Sequence, residues 1–187
     1  MEHVMYVMGG VAVFLVVVVI AIYNGLVSKR NMCKNSFGGV DVQLKKRYDL
    51  IPNLVECVKG YAKHEAGVLS EVIALRSAAQ SASKPQATLE ANARLDAGMG
   101  RLLAVAEGYP DLKASDNFRF LMRSLNEVEE QIAAARRGYN AAVNELNNAV
   151  EMFPSNLVAS VTGFSRGDYF VAGEGDRSAP VVNLNAR

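Results

Sequence analysis

The chain has no tryptophan, only two histidines and two cysteines, and five prolines among 187 residues. With so little imidazole, and His3 placed ahead of a long apolar run, most acid–base, nucleophilic and zinc schemes lack their usual group. Cys33 and Cys57 do not stand at metal-ligand spacing and read as free thiols, which suits a reducing compartment without fixing one. Twenty basic and 19 acidic residues leave a net charge of +1, so there is no basic excess of the kind nucleic acid requires, and none is expected as a partner. No Gly-x-x-x-x-Gly-Lys loop occurs, and Gly98-Met99-Gly100 falls inside a helical pattern rather than after a strand. His64-Glu65 is followed four residues on by Val68, which excludes a zinc-protease helix. Cys57 and His64 stand a two-turn step apart on what reads as one helix. A Cys–His pair is therefore geometrically open, although a helical cysteine ordinarily serves as a small hydrophobe. No catalytic residue, cofactor site or metal ligand is assigned, and the chain reads as a non-enzyme.

What the sequence has in quantity is aliphatic surface near its start. Residues 4–27 carry no charge. The core of that run, Val11, Phe14, Leu15, Val16, Val17, Val18, Val19 and Ile20, is apolar throughout. At 1.5 Å rise per residue, about 20 helical residues cross the roughly 30 Å hydrocarbon core of a bilayer. The competing reading is a secretory signal peptide, whose basic start and Ala-x-Ala site are missing: the chain opens Met1-Glu2-His3 and leaves the run through Tyr23-Asn24-Gly25-Leu26. An uncleaved transmembrane anchor is expected over 4–27. Lys29, Arg30 and Lys34 follow it directly, with Lys45, Lys46 and Arg47 beyond. The positive-inside bias then puts the body in the cytoplasm and the N-terminus outside, with a periplasmic body as the alternative. Tyr6 and Tyr23 lie near the two ends of the span, where amphipathic rings favour the interface. Gly9 and Gly10 form no Gly-x-x-x-Gly frame.

Beyond the anchor the periodicity is helical. Phe37, Val40, Leu44, Tyr48 and Ile51 mark a first helix over about 28–49. Pro52 interrupts it, and Asp49 is placed to cap a second helix over about 52–80, which carries Leu54, Val55, Val58, Tyr61, Val68, Leu69, Val72, Ile73 and Leu75. A Ser- and Ala-rich connection ends at Lys84-Pro85. A third helix, 86–107, follows, weakened by Gly98 and Gly100 at about 1 kcal/mol each, for which close packing is one explanation. Gly108-Tyr109-Pro110 stops it, and Ser115 or Asp116 caps a fourth over 115–151. There Phe118, Leu121, Leu125, Val128, Ile132, Ala135, Tyr139, Ala142, Leu146 and Ala149 keep three–four spacing of coiled-coil type over roughly 54 Å. Residues 156–187 read as a partly irregular tail, with Asp168–Val171 and Pro180–Leu184 as short extended candidates. The expected fold is all-α: one N-terminal transmembrane helix, then an antiparallel four-helix bundle of long helices over 28–155.

The run Arg47-Tyr48-Asp49-Leu50-Ile51-Pro52-Asn53-Leu54-Val55-Glu56, continued by Val58-Lys59-Gly60-Tyr61-Ala62 and His64-Glu65, resembles the signature of the LemA family of bacterial proteins. Tyr23-Asn24, Tyr139-Asn140 and Phe153-Pro154-Ser155 look like further family positions, so the resemblance covers nearly the whole chain. It implies a four-helix bundle behind a single N-terminal span in the bacterial inner membrane. It implies no agreed activity, and proposed roles in membrane organisation, signalling or envelope stress attach to no residue here. Cys33 and Cys57 depart from it.

Two readings of the signature residues Arg47, Asp49, Pro52, Asn53, Glu56, Lys59, His64 and Glu65 stand side by side: an internal brace around a helix break, or a docking face. For the protein as a whole the leading expectation is a membrane-anchored scaffold or adaptor. Its expected partners are the lipid bilayer, further copies of itself, and an unidentified protein. The alternatives are a module that binds anionic lipid through Lys29, Arg30, Lys34 and their neighbours, or an accessory protein in signalling or envelope stress.

Overall fold

The structure, a computed structural model, describes residues 1–62 and 64–170. Among the described residues six helices follow one another: α1 (Glu2–Lys59), α2 (Ala66–Ser81), α3 (Pro85–Glu107), α4 (Pro110–Ala114), α5 (Asp116–Glu151) and α6 (Ser155–Thr162). Among the described residues 86% are helical and none lies in a strand, so the fold class is all-α. The extended candidate at 168–171 is described as far as Phe170 and forms no strand. The candidate at 180–184 lies outside the described residues. Two compact units are formed, one from 1–47 with 125–169, the other from 48–124 with Phe170; α1 and α5 contribute to both.

In the first unit α1 buries Leu26, Cys33, Val40 and Leu44, while α5 buries Leu125, Val128, Ile132, Tyr139, Ala142, Val143 and Leu146. Steps of three, four and seven return a residue to the same helical face, which is why these side chains share a seam. Lys29 meets Glu145, Phe37 lies edge-on to Tyr139 with ring centroids 5.6 Å apart, Lys46 reaches Gln131 and Arg47 meets Glu129. Partner numbers on α5 thus fall as those on α1 rise. Ahead of Leu26 the apolar window of α1 is wholly unburied. Of the alanines on α5, Ala142 is buried and Ala135 and Ala149 half-buried, but Ala133, Ala134 and Ala141 face outward.

In the second unit Tyr48, Ile51, Leu54 and Val58 of α1 are buried, as are Leu69 and Val72 of α2, Leu95 and Leu102 of α3, and Leu112 of α4. Gly98 explains itself: a Cβ there would stand 2.6 Å from Leu75 Cδ1 and 3.7 Å from Val72 Cγ2, so its bare backbone lets α2 and α3 close up, whereas nothing crowds Gly100. Tyr61 and Ile73, expected on buried faces, are 45% and 37% exposed.

Two expected boundaries are corrected. No helix ends at 49 and none starts at 52: α1 runs through Pro52 to Lys59, and Asp49 is an exposed mid-helix residue rather than a cap. The second helix begins instead at Ala66. The chain breaks at Gly60, where Tyr61 and Ala62 both direct their amides to the carbonyl of Val58 and close the last turn. Helix α1 survives its proline because a side chain supplies the hydrogen bond that proline withholds.

Over its described part, as far as Phe170, the chain after α5 is more regular than expected. Residues 155–162 form α6, ended by Gly163 with φ +74°, a left-handed cap that favours glycine. The Phe164 amide closes the cap on the Ala159 carbonyl at 3.0 Å. The strap beyond is pinned to α5. The Gly167 amide donates to Asn147 Oδ1 at 2.8 Å, Asn147 Nδ2 donates to the Gly167 carbonyl at 3.2 Å, and the Tyr139 hydroxyl donates to the Asp168 carbonyl at 3.0 Å.

Candidate functional site

The signature residues occupy the last turns of α1 and the connection after it. In the first unit, Arg47 is buried with 5% of its side chain exposed, and its Nε lies 2.8 Å from Glu129 Oε1, whose own side chain is 42% exposed. A guanidinium held out of water beside a part-exposed carboxylate adds little net stability as a pair, yet losing its partner is costly.

The rest belongs to the second unit. A proline at position i has no N–H for the carbonyl at i−4 and its ring crowds that oxygen, at a cost of about 3 kcal/mol in a helix interior. For Pro52 that carbonyl is Tyr48, and Arg76 Nε of α2 donates to it at 2.6 Å. The buried Tyr48 ring is held at its other end: Asn92 Nδ2 donates to the Tyr48 hydroxyl at 2.8 Å and to the Thr88 carbonyl at 2.8 Å. Arg76 and Asn92 were not singled out from the sequence. The signal was there, since Arg76 sits seven residues after Leu69 and three before Ala79, both buried; a cation on the apolar stripe of a helix calls for a buried acceptor.

Asp49, Asn53, Glu56, Lys59 and His64 are exposed and Glu65 half-buried. Glu56 and Lys59 pair at 3.0 Å with 68% and 60% of their side chains exposed, a surface pair worth little. Both line an open cleft of about 500 Å³ with Val55, Ala66, Leu69, Ser70 and Ile73. Among the described residues its lining holds no imidazole and no thiol. His64 falls after α1 has ended, so Cys57 and His64 do not share a helix. Burial pushes the Cys57 thiol up, opposite to an activated thiolate. Among the described residues no group of three His, Cys, Asp or Glu side chains is arranged to hold a metal.

At the start of the first unit, Lys29 Nζ lies 2.7 Å from Glu145 Oε2, and hydrogen bonding to Lys29 holds the Glu145 carboxyl below its ordinary range. The Arg30 guanidinium stacks 4.8 Å from the Phe164 ring centroid, and Tyr23 meets the same ring edge-on at 5.9 Å. Lys34 is exposed. Two of the three cations that follow the apolar segment thus have partners within the protein.

A family model described as the LemA family matches residues 36–184. Among curated proteins, the chain is 28% identical over 174 residues to magnetosome protein MamQ 2 of Paramagnetospirillum magneticum, covering 79% of this chain and 64% of that protein. It is 26% identical over 174 residues, with the same coverage, to magnetosome protein MamQ of Magnetospirillum gryphiswaldense. It is 26% identical over 155 residues to protein LemA of Metamycoplasma hominis, covering 82% of this chain and 71% of that one. The chain therefore spans just under two thirds of the length of the MamQ relatives. None of these names is the name of an enzyme.

Proposed function

The chain belongs to the LemA family, and on that premise we propose that it is a non-enzymatic, membrane-anchored scaffold or adaptor that works through helix surfaces. The observation that carries this reading is the wholly unburied apolar window of α1. Each exposed aliphatic side chain forgoes roughly 1.5–3 kcal/mol available on leaving water, so Val11, Phe14, Leu15, Val16, Val17, Val18, Val19 and Ile20 belong in a bilayer. Segment 4–27 is the anchor in this reading, the bacterial inner membrane its site, and the body cytoplasmic by its flanking cations; a periplasmic body is the alternative.

The four-helix bundle expected from the sequence stays part of this proposal, with an antiparallel helix pair in each unit. The opposed numbering of α1 against α5, and of α2 against α3, where Glu71 pairs with Arg101 and Leu75 lies against Gly98, supports it. Self-association is supported by Ala134, Gly138 and Ala141, which stay exposed on α5 at steps of four and three and let a second helix approach closely. The cleft beside Glu56 and Lys59 is the candidate face for another protein. The anionic-lipid module is the weaker reading, because Lys29 and Arg30 are already engaged by Glu145 and Phe164.

Native membranes carrying a mixture of isotopically light and heavy copies test this directly. After a carbonate wash, crosslinking and mass spectrometry should return the chain in the pellet with light–heavy crosslinks between copies. Release by carbonate overturns the anchor, and a chain crosslinked to nothing overturns the scaffold.

A further inference from the structure

We propose that the turn and helix spanning 152–161 are a second membrane contact, in which Met152, Phe153, Leu157 and Val161 lie in the apolar interface of the bilayer that α1 crosses. This inference rests on the anchor reading above. The four side chains are 62%, 78%, 58% and 87% exposed, whereas Ala159 on the other side of α6 is 1% exposed. Leu157 and Val161 stand one turn apart on one helical face. α6 is therefore amphipathic with its apolar side turned away from the protein, the reverse of a helix that packs on a core.

Its position supplies the occupant. Lys29 stands opposite Glu145. Six residues before Lys29 is Tyr23, near the end of the uncharged run, and six residues beyond Glu145 is Glu151, the last residue of α5. α5 thus ends level with the edge of the anchor, and Met152 and Phe153 follow at once. Two contacts hold the far end of α6 at the same height: Phe164, just past its cap, meets Tyr23 and lies under Arg30. Arg166 pairs with Glu151 at 3.0 Å. An apolar face fixed at the level where the anchor leaves the hydrocarbon meets the headgroup–acyl boundary, the environment interfacial helices occupy. Arg166 beside it, with 66% of its side chain exposed, suits the headgroup layer.

The test uses the full chain reconstituted at low protein density in phosphatidylcholine–phosphatidylglycerol vesicles, with Cys33→Ala and Cys57→Ala and an environment-sensitive fluorophore on one introduced cysteine. Labels at Leu157→Cys and Val161→Cys should be quenched by lipids carrying a nitroxide high on the acyl chain and shielded from aqueous iodide. A label at Asn126→Cys, exposed far along α5 and outside the small-residue face, should respond only to iodide. A label at Val16→Cys should respond to a deep nitroxide. If Val16 responds and Leu157 answers only to iodide, the second contact is refuted while the anchor stands. If Leu157 is shielded from both quenchers, a protein surface covers it and the proposal is equally refuted. Loss of the Val16 response refutes the anchor itself.

Discussion

Arg76 Nε donates a hydrogen bond of 2.6 Å to the main-chain carbonyl of Tyr48, the oxygen that Pro52 deprives of its helical partner. The arginine stands in for a missing backbone amide, which lets α1 pass through its proline and ties α2 to that point.

Removing the donor should therefore cost more than an ordinary surface arginine. Arg76→Ala takes this donor away from a part-buried carbonyl, for a loss of about 1–3 kcal/mol in chemical denaturation. Pro52→Ala restores the amide and should make Arg76→Ala much milder, so the two substitutions couple in a double-mutant cycle. Additive effects would show that Arg76 serves elsewhere.

Arg47 and Glu129 should respond as a partly buried pair. Glu129→Ala leaves a guanidinium with 5% side-chain exposure without this carboxylate, and a destabilisation of about 2–4 kcal/mol is expected. Glu56→Ala, at the exposed pair with Lys59, should stay within about 0.5 kcal/mol. Thermal unfolding followed by circular dichroism separates the two, and equal shifts would contradict the burial argument.

Asn147 is 3% exposed and makes both hydrogen bonds of its amide to the Gly167 backbone. Asn147→Leu should release the strap while leaving α5 helical. Hydrogen exchange at the Gly167 amide is expected to speed up by at least tenfold, as follows from losing about 1.4 kcal/mol of protection. Unchanged exchange would mean that Tyr139 and Arg166 hold the strap unaided.

Alkaline pH should weaken the fold. Burial raises the Cys33 thiol above its ordinary 9.0, and burial, with the charges of Cys33 and Asp168 adding, raises the Tyr139 phenol above 10.0. The folded state thus favours the neutral forms. The stability this gives is complete below the ordinary values and is lost as pH rises through the raised ones. The unfolding midpoint should hold steady to about pH 8 and decline from about pH 9 upward, and Tyr139→Phe should flatten the decline. Glu145 works the other way: Lys29 lowers it, so its contribution is present above its ordinary 4.5 and fades as pH falls.

The long apolar N-terminal segment and the face of α5 were legible because each is a local pattern: the first is one uncharged run, and in the second the same property returns every three or four residues, with burial following it at Leu125, Val128, Ile132, Tyr139, Ala142 and Leu146. Pro52 was misread for the same reason. Its neighbours say only that a helix loses a hydrogen bond there, while the replacement comes from Arg76, in a different helix. The strap was illegible likewise, since Asn147 looks like one more polar residue until Gly167 lies beside it. The cleft at Glu56 and Lys59 needed the break at Gly60 to be placed correctly, and two proline-free turns separate that break from Pro52.

By itself the sequence determined the all-α class, the family, the single apolar segment long enough to cross a bilayer and the scarcity of groups that do chemistry, because composition and period are properties of neighbours along the chain. Tertiary structure alone decided that α1 runs on through Pro52, that the chain after α5 folds back as a helix and a pinned strap, and that Met152, Phe153, Leu157 and Val161 stay outside. Those outcomes hang on single hydrogen bonds and ring contacts between residues distant in sequence, and a linear pattern carries no record of which donor will meet which acceptor.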